Sequence, residues 1–149
     1  VFPYNGSLFI GFNTSLIKGK LVSEESKQFK WLTKQIRKGK DFNNTIVFCH
    51  YPFFIKDVEE PTAYSNIDLE YRKKYLDLFA ENGVDAVFTG HHHNNILNAY
   101  GEVQLVTTSS AGKPLGDAPS GMRVIKVYTD KIEHKYFGFD ELPESVQFK

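Results

Sequence analysis

An α/β fold built on parallel strands is predicted by three features of the sequence. Two continuous β-branched and aromatic runs, TIVFCH at residues 45–50 and VDAVFT at residues 84–89, lack polar alternation, as expected of strands covered on both faces. Between them, residues 67–82 carry a helical period, so strand, helix and strand form one βαβ unit with parallel strands. The composition agrees: 149 residues, 41% hydrophobic and 24% charged, describe one ordinary globular domain or part of one, not a disordered or collagen-like chain.

Residues 7–12 (SLFIGF) are a short apolar run between the turn signals Asn5-Gly6 and Asn13-Thr14-Ser15, and read as the first strand. Residues 23–38 place Phe29, Leu32 and Ile36 at helical spacing. Glu24 and Glu25 stand early, Arg37 and Lys38 late and Gly39 behind, the charge order a helix dipole favours. Phe29 and Trp31 broaden the buried face, with the core as the favoured place for Trp31 and the exposed edge of the helix as its alternative. After the strand at 45–50, a polar loop with Glu59-Glu60-Pro61 leads into the second helix. There Leu69, Tyr71, Tyr75, Leu78 and Phe79 recur near helical period, and Asn82-Gly83 stops it. Beyond Gly90, residues 103–109, 122–128 and 131–137 are strand-like, and Thr129-Asp130 is a tight connection, so this part reads as a β meander. Residues 140–149 carry Pro143 and little periodicity, and read as irregular surface.

Several function classes are excluded early. Lys+Arg 18 and Asp+Glu 18 cancel, so the totals carry no footprint for nucleic acid or an acidic membrane. No apolar run approaches the roughly 18 residues of a membrane helix. Cys49 is the only cysteine, which excludes an internal disulfide framework and a cysteine-based structural zinc site. Neighbouring strand residues point to opposite faces, so Cys49 and His50 do not form a thiol-protease dyad, and Cys49 reads as a small buried hydrophobe. The sequons at Asn5, Asn13 and Asn43 read as turn chemistry. The only methionine is Met122 and Val1 opens directly on strand-like text, so upstream sequence is expected to be missing.

Four of the five histidines fall at two places: His50 closes the strand at 45–50, and His91, His92 and His93 follow the strand at 84–89 after Gly90. Parallel strands of one βαβ unit end at the same sheet edge, where open α/β sheets bind ligands. If residues 90–93 stay extended, His91 and His93 share a side and His92 points elsewhere. Neutral imidazole is a common ligand for zinc, manganese and iron, so His50, His91 and His93 are candidate metal ligands. Two other readings stay open: a mononuclear three-histidine hydrolase on a self-sufficient domain, and a non-enzymatic binding module with structural histidines.

The segments VFCHYPFF, VFTGHHHN and TSSAGKPLGDAPSGMRVIKVY, in this order and spacing, resemble the second half of a calcineurin-like metallophosphoesterase, with greatest likeness to its Ser/Thr phosphatase-like members. The similarity covers nearly the whole chain. Its specific part is a Gly-His-x-His segment, here Gly90 to His93, behind a strand whose parallel predecessor ends in a lone histidine. The resemblance implies the later half of a four-layer αββα sandwich, two mixed sheets flanked by helices, with residues 1–149 as the C-terminal part of one domain. It implies hydrolysis of phosphate esters, by a phosphomonoesterase, a phosphodiesterase or a phosphoprotein phosphatase, at two divalent ions (Mn, Fe or Zn). By position, His50 and His91 match ligands of one ion and His93 a ligand of the other. His92 occupies the variable position, as a substrate contact or a loop stabiliser. Tyr51 and Lys113 are candidates for substrate contact, beside the plainer readings of an aromatic packed next to Pro52 and a solvated loop lysine.

The family's Asp-x-His, Gly-Asp and Gly-Asn-His-Asp/Glu motifs, which bring a bridging aspartate and the general-acid histidine, are expected upstream of the first strand and are absent from this sequence. No catalytic residue is therefore assigned in this chain. Three neutral imidazoles also leave the charge of two divalent ions without a carboxylate to offset it. The chain is expected to supply half a site for a phosphorylated substrate, to be inactive alone, and to self-associate through an uncovered sheet.

Overall fold

In the computed structural model, which describes residues 1–146, six strands form one mixed sheet. They are β1 (Phe2–Tyr4), β2 (Ser7–Gly11), β3 (Asn44–Phe48), β4 (Ala86–Thr89), β5 (Ile96–Tyr100) and β6 (Val103–Thr107), in the spatial order β1-β2-β3-β4-β6-β5. β2, β3, β4 and β6 run parallel, with β1 and β5 as antiparallel edges. Helices α1 (Ser15–Lys18) and α2 (Val22–Ile36) carry the chain from β2 to β3, and α3 (Leu69–Glu81) carries it from β3 to β4. Two βαβ units thus follow one another, as the covered apolar runs require. A hairpin of β7 (Gly121–Val127) and β8 (Ile132–Gly138) forms a second sheet. This α/β architecture, a mixed sheet with helices and a second sheet, agrees with the fold class that the sequence predicts. No helix among the described residues is long and apolar enough to cross a membrane.

Strand alternation sorts the side chains into two layers. Ile10, Val47, Val87 and Leu105 are register neighbours on one face, where they join Leu32 and Ile36 of α2 and Tyr75, Leu76 and Phe79 of α3 in the main core. Phe9, Ile46 and Ala86 form the matching row on the other face, packed with Ile132 and Val127 of the hairpin.

Three expectations are corrected. The C-terminal strands are not one meander: β6 pairs parallel with β4, and only β7 and β8 pair with each other in the second sheet. The antiparallel neighbour of β6 is β5, whose Leu97 and Ala99 face solvent, leaving no apolar alternation to read. β1 is the strand that the text after Val1 suggests. Asn5 and Gly6 both take positive φ, 44° and 78°, the two-residue turn that Asn-Gly favours between antiparallel strands. Trp31 is 38% exposed, because two residues along a helix from Phe29 is more than half a turn, outside the stripe of Phe29, Leu32 and Ile36. Finally, β3 ends at Phe48, so His50 stands beyond the strand and not within it. Of the C-terminal segment, residues 142–146 have no regular structure and residues 147–149 lie outside the described residues.

Candidate metal and substrate site

β2, β3, β4 and β6 all end at one sheet edge, and the loops that follow β3 and β4 are stitched together there. Cys49 N–H donates to the Phe88 carbonyl and Gly90 N–H to the His50 carbonyl, each at 3.0 Å. The histidine loop is not extended: His91 and His93 take positive φ, 60° and 54°. Side-chain alternation therefore does not set the directions of the imidazoles. Left-handed backbone at a non-glycine residue costs about 1–3 kcal/mol and persists only where surrounding bonds hold it. Here His92 N–H reaches the Gly90 carbonyl at 2.6 Å, and the His93 carbonyl accepts from Leu115 N–H at 2.9 Å and Ser109 Oγ at 3.0 Å.

The turn brings His50 and His91 together. His91 Nδ1 lies 3.1 Å from His50 Nε2, and the rings pack edge to face with centroids 4.9 Å apart. His91 Nε2 lies 3.2 Å from the Tyr64 carbonyl. A carbonyl can only accept, so Nε2 carries the proton and Nδ1 offers its lone pair toward His50. Two nitrogens bound to one ion at about 2.0–2.1 Å lie roughly 3 Å apart, so the pair fits two ligands of a single ion, with the carbonyl as the outer partner that ligating histidines usually have. Burial lowers the pKa of His91, and His50, then His93 and His92, lower it further against the opposing Tyr64 carbonyl.

His93 does not join that pair. Its Nδ1 bonds the Lys113 carbonyl at 2.8 Å, which fixes the tautomer and leaves Nε2 as the free nitrogen. Among the described residues, no three His, Cys, Asp or Glu side chains converge as a metal-binding group. What the chain presents is a pair plus a separate third imidazole. Tyr51 packs against both members of the pair, with ring centroids 4.9 Å from His50 and 4.0 Å from His91. His92 is half-buried and faces two adjoining clefts. Lys113 is exposed and meets the site through its backbone. Cys49 is partly buried against the main core, and burial pushes its thiol pKa up.

The loop from β3 to α3, residues 49–68, is built around charged groups whose role the sequence reading missed. Arg72, fully buried, donates to the carbonyls of Val58, Glu60 and Ile67. The Glu60 carboxylate accepts from Ile55 N–H and Lys56 N–H, both at 2.8 Å, and from Asn66 Nδ2 at 2.6 Å. Burial pushes its pKa up, but the bonds from Asn66, Ile55, Lys56 and Asp57 outweigh that and hold it below the usual range. Lys18 pairs with Asp68 at the end of the loop. This frame presents Tyr64 to His91, with centroids 4.7 Å apart. Behind the histidine loop, Arg123 reaches Asn95, Thr108 and His134. The only signals for these residues in sequence were an isolated tyrosine in a polar stretch and an arginine in an apolar strand.

No protein-family model matches the chain. Serine/threonine-protein phosphatase CPPED1 of Homo sapiens is 36% identical to it over 148 residues, which are 96% of this chain and 47% of that protein. The protein of the same name from Rattus norvegicus is 34% identical over 145 residues (95% and 46%), and that from Danio rerio 35% identical over 101 residues (68% and 33%). The chain thus spans about half the length of the curated relatives it matches over nearly all of its own. Among solved structures, that described as "GAP50 the anchor in the inner membrane complex of Plasmodium" superposes with a TM-score of 0.59 and 19% identity, covering 71% of this chain and 33% of that one, a likeness of fold alone. With 96% of its own length matched by a relative at 36% identity, and with paired histidines at the carboxyl edge of its parallel strands, the chain belongs to the calcineurin-like phosphoesterases.

Proposed function

We propose that the whole protein hydrolyses phosphate esters of phosphorylated protein side chains at two divalent ions (Mn, Fe or Zn). His50 and His91 would hold one ion and His93 the other. The observation that carries this reading is the 3.1 Å approach of His50 Nε2 and His91 Nδ1, with the Tyr64 carbonyl on the far nitrogen of His91. The relatives' names supply the phosphoprotein substrate class. When bound, the ions would lend Lewis-acid charge to a phosphoryl oxygen and to the attacking water.

The chain's own residues prepare the site. The Tyr64 and Lys113 carbonyls fix the tautomers of His91 and His93, and Tyr51 wedges the His50–His91 pair in place. His92, and Lys113 if its exposed side chain turns toward the site, would donate to substrate oxygens. The remaining ligands, carboxylates among them, would come from the part of the protein beyond this chain, since the relatives are about twice as long. The open face of the sheet would be covered by that same part, and the isolated chain would self-associate through it.

The test is elemental analysis of the full-length protein beside hydrolysis of a phosphoserine peptide. Two ions per chain are expected in the native protein, with activity falling about 10³-fold or more in His91→Ala while the fold is kept. A fully active His91→Ala enzyme would sink the assignment. The isolated chain should retain no more than one ion after dialysis.

A further inference from the structure

We infer that the cleft between Tyr64 and Leu115 is a subsite for an uncharged, apolar side chain flanking the phosphorylated residue of a peptide substrate, an inference that rests on the phosphoesterase reading above. The cleft measures about 190 Å³ and is lined by Tyr64, Ser65, His91, His92, Asn94 and Leu115. Its floor therefore includes a candidate metal ligand, so whatever fills it lies beside the reacting phosphoryl group.

Tyr64 and Leu115, at 81% and 71%, are the two most exposed large hydrophobic side chains among the described residues. They come from loops 51 residues apart in sequence and yet flank the same cleft. Isolated exposed hydrophobes are ordinary, but two that converge over a polar floor make the concave, mostly apolar setting of a binding pocket. Neither side chain belongs to a core cluster, whereas both backbones are fixed to the histidine loop. The Tyr64 carbonyl takes the His91 Nε2 bond, and Leu115 N–H donates to the His93 carbonyl at 2.9 Å. The walls are thus held in register with the candidate metal site while their apolar surfaces are left for a ligand.

Charge and size narrow the occupant. No Lys, Arg, Asp or Glu lines the cleft, so no permanently charged side chain there would pair with a second phosphate or be stripped of its water by an apolar group. A closed apolar cavity of about 150 Å³ holds benzene, so this cleft suits one Leu- or Phe-sized side chain.

The experiment compares kcat/KM of the manganese-loaded full-length protein on phosphoserine hexapeptides that differ only in the residues flanking the phosphoserine, either Phe and Leu or Gly and Asp. The apolar-flanked peptide is expected to be preferred about 10-fold or more. In the double variant Tyr64→Ala, Leu115→Ala the ratio should collapse to about twofold or less, and in Tyr64→Phe it should persist. The ratio is the readout because it is insensitive to general losses of rate. A native protein that does not discriminate, or a double variant that still does, overturns the subsite and leaves the phosphoesterase reading standing. Failure to hydrolyse either peptide or free O-phosphoserine would overturn that reading and the subsite with it.

Discussion

The two faces of the main sheet are made by alternate residues of the same strands, yet they are finished to different degrees. On the helix side Ile10, Val47 and Val87 are at 0% exposure, sealed by residues such as Tyr75 and Phe79. On the hairpin side only Ile46, Ala86 and Ile132 form a buried cluster, Phe9 and Phe88 are partly covered, and Phe48 remains 43% exposed. The contrast separates two tasks. One face is a closed core, and the other keeps apolar surface open. The candidate site lies at the edge between them, so the completeness of the core and the completeness of the site are independent properties.

The largest effect that could break this comparison is on the sealed face. Phe79→Ala is expected to cost about 3–5 kcal/mol in urea unfolding, and a loss under 1 kcal/mol would mean that α3 is not the closing layer. Next, Arg72→Met leaves three carbonyls without their buried donor and should cost about 2–3 kcal/mol. It should also expose residues 55–66 to limited proteolysis. An unchanged cleavage pattern would show that the loop stands without its guanidinium. On the open face, Phe48→Ala in the isolated chain should change stability by only about 0.5 kcal/mol, and Phe48→Lys should reduce self-association measured by sedimentation. The same Phe48→Ala in the full-length protein should cost several times more. Equal costs in both would show that nothing covers this face.

The smallest effect concerns pH. Burial, then the Arg123 guanidinium, lowers the pKa of His134 in β8 below its usual 6.5. The unfolded chain therefore binds this proton more readily than the folded one. The stabilisation is present above pH 6.5 and is lost as the pH falls through the folded value. The thermal midpoint should fall more steeply between pH 7 and pH 5 in the native chain than in His134→Gln. Parallel slopes would remove His134 from the account.

How far the sequence was readable follows the same division. TIVFCH and VDAVFT were legible because a covered parallel strand leaves a continuous apolar run, and both helices were legible from period and end signals. β5 was not, because an edge strand buries little, and its trace was in the Gly101-Glu102 turn; β1 showed only as a strand-like start beside Asn5-Gly6. Trp31 misled because hydrophobicity was weighed without angular position. At the site, shared topology placed His50 and His91 at one edge, but their pairing depends on left-handed backbone at His91, which no periodicity announces. Tyr64 reaches His91 only because buried Arg72 and Glu60 fold a long loop back, a path invisible to local pattern.

Trp31, displaced from the core, gains another use. It lines the broad depression that also contains Phe48, Cys49 and His50, and it is the only tryptophan in the chain. Its half-exposed indole makes intrinsic fluorescence a one-residue gauge of that depression. Emission should move to shorter wavelength when the depression is covered and stay put when a ligand binds elsewhere, so covering of that depression in this chain can be followed optically without attaching a label.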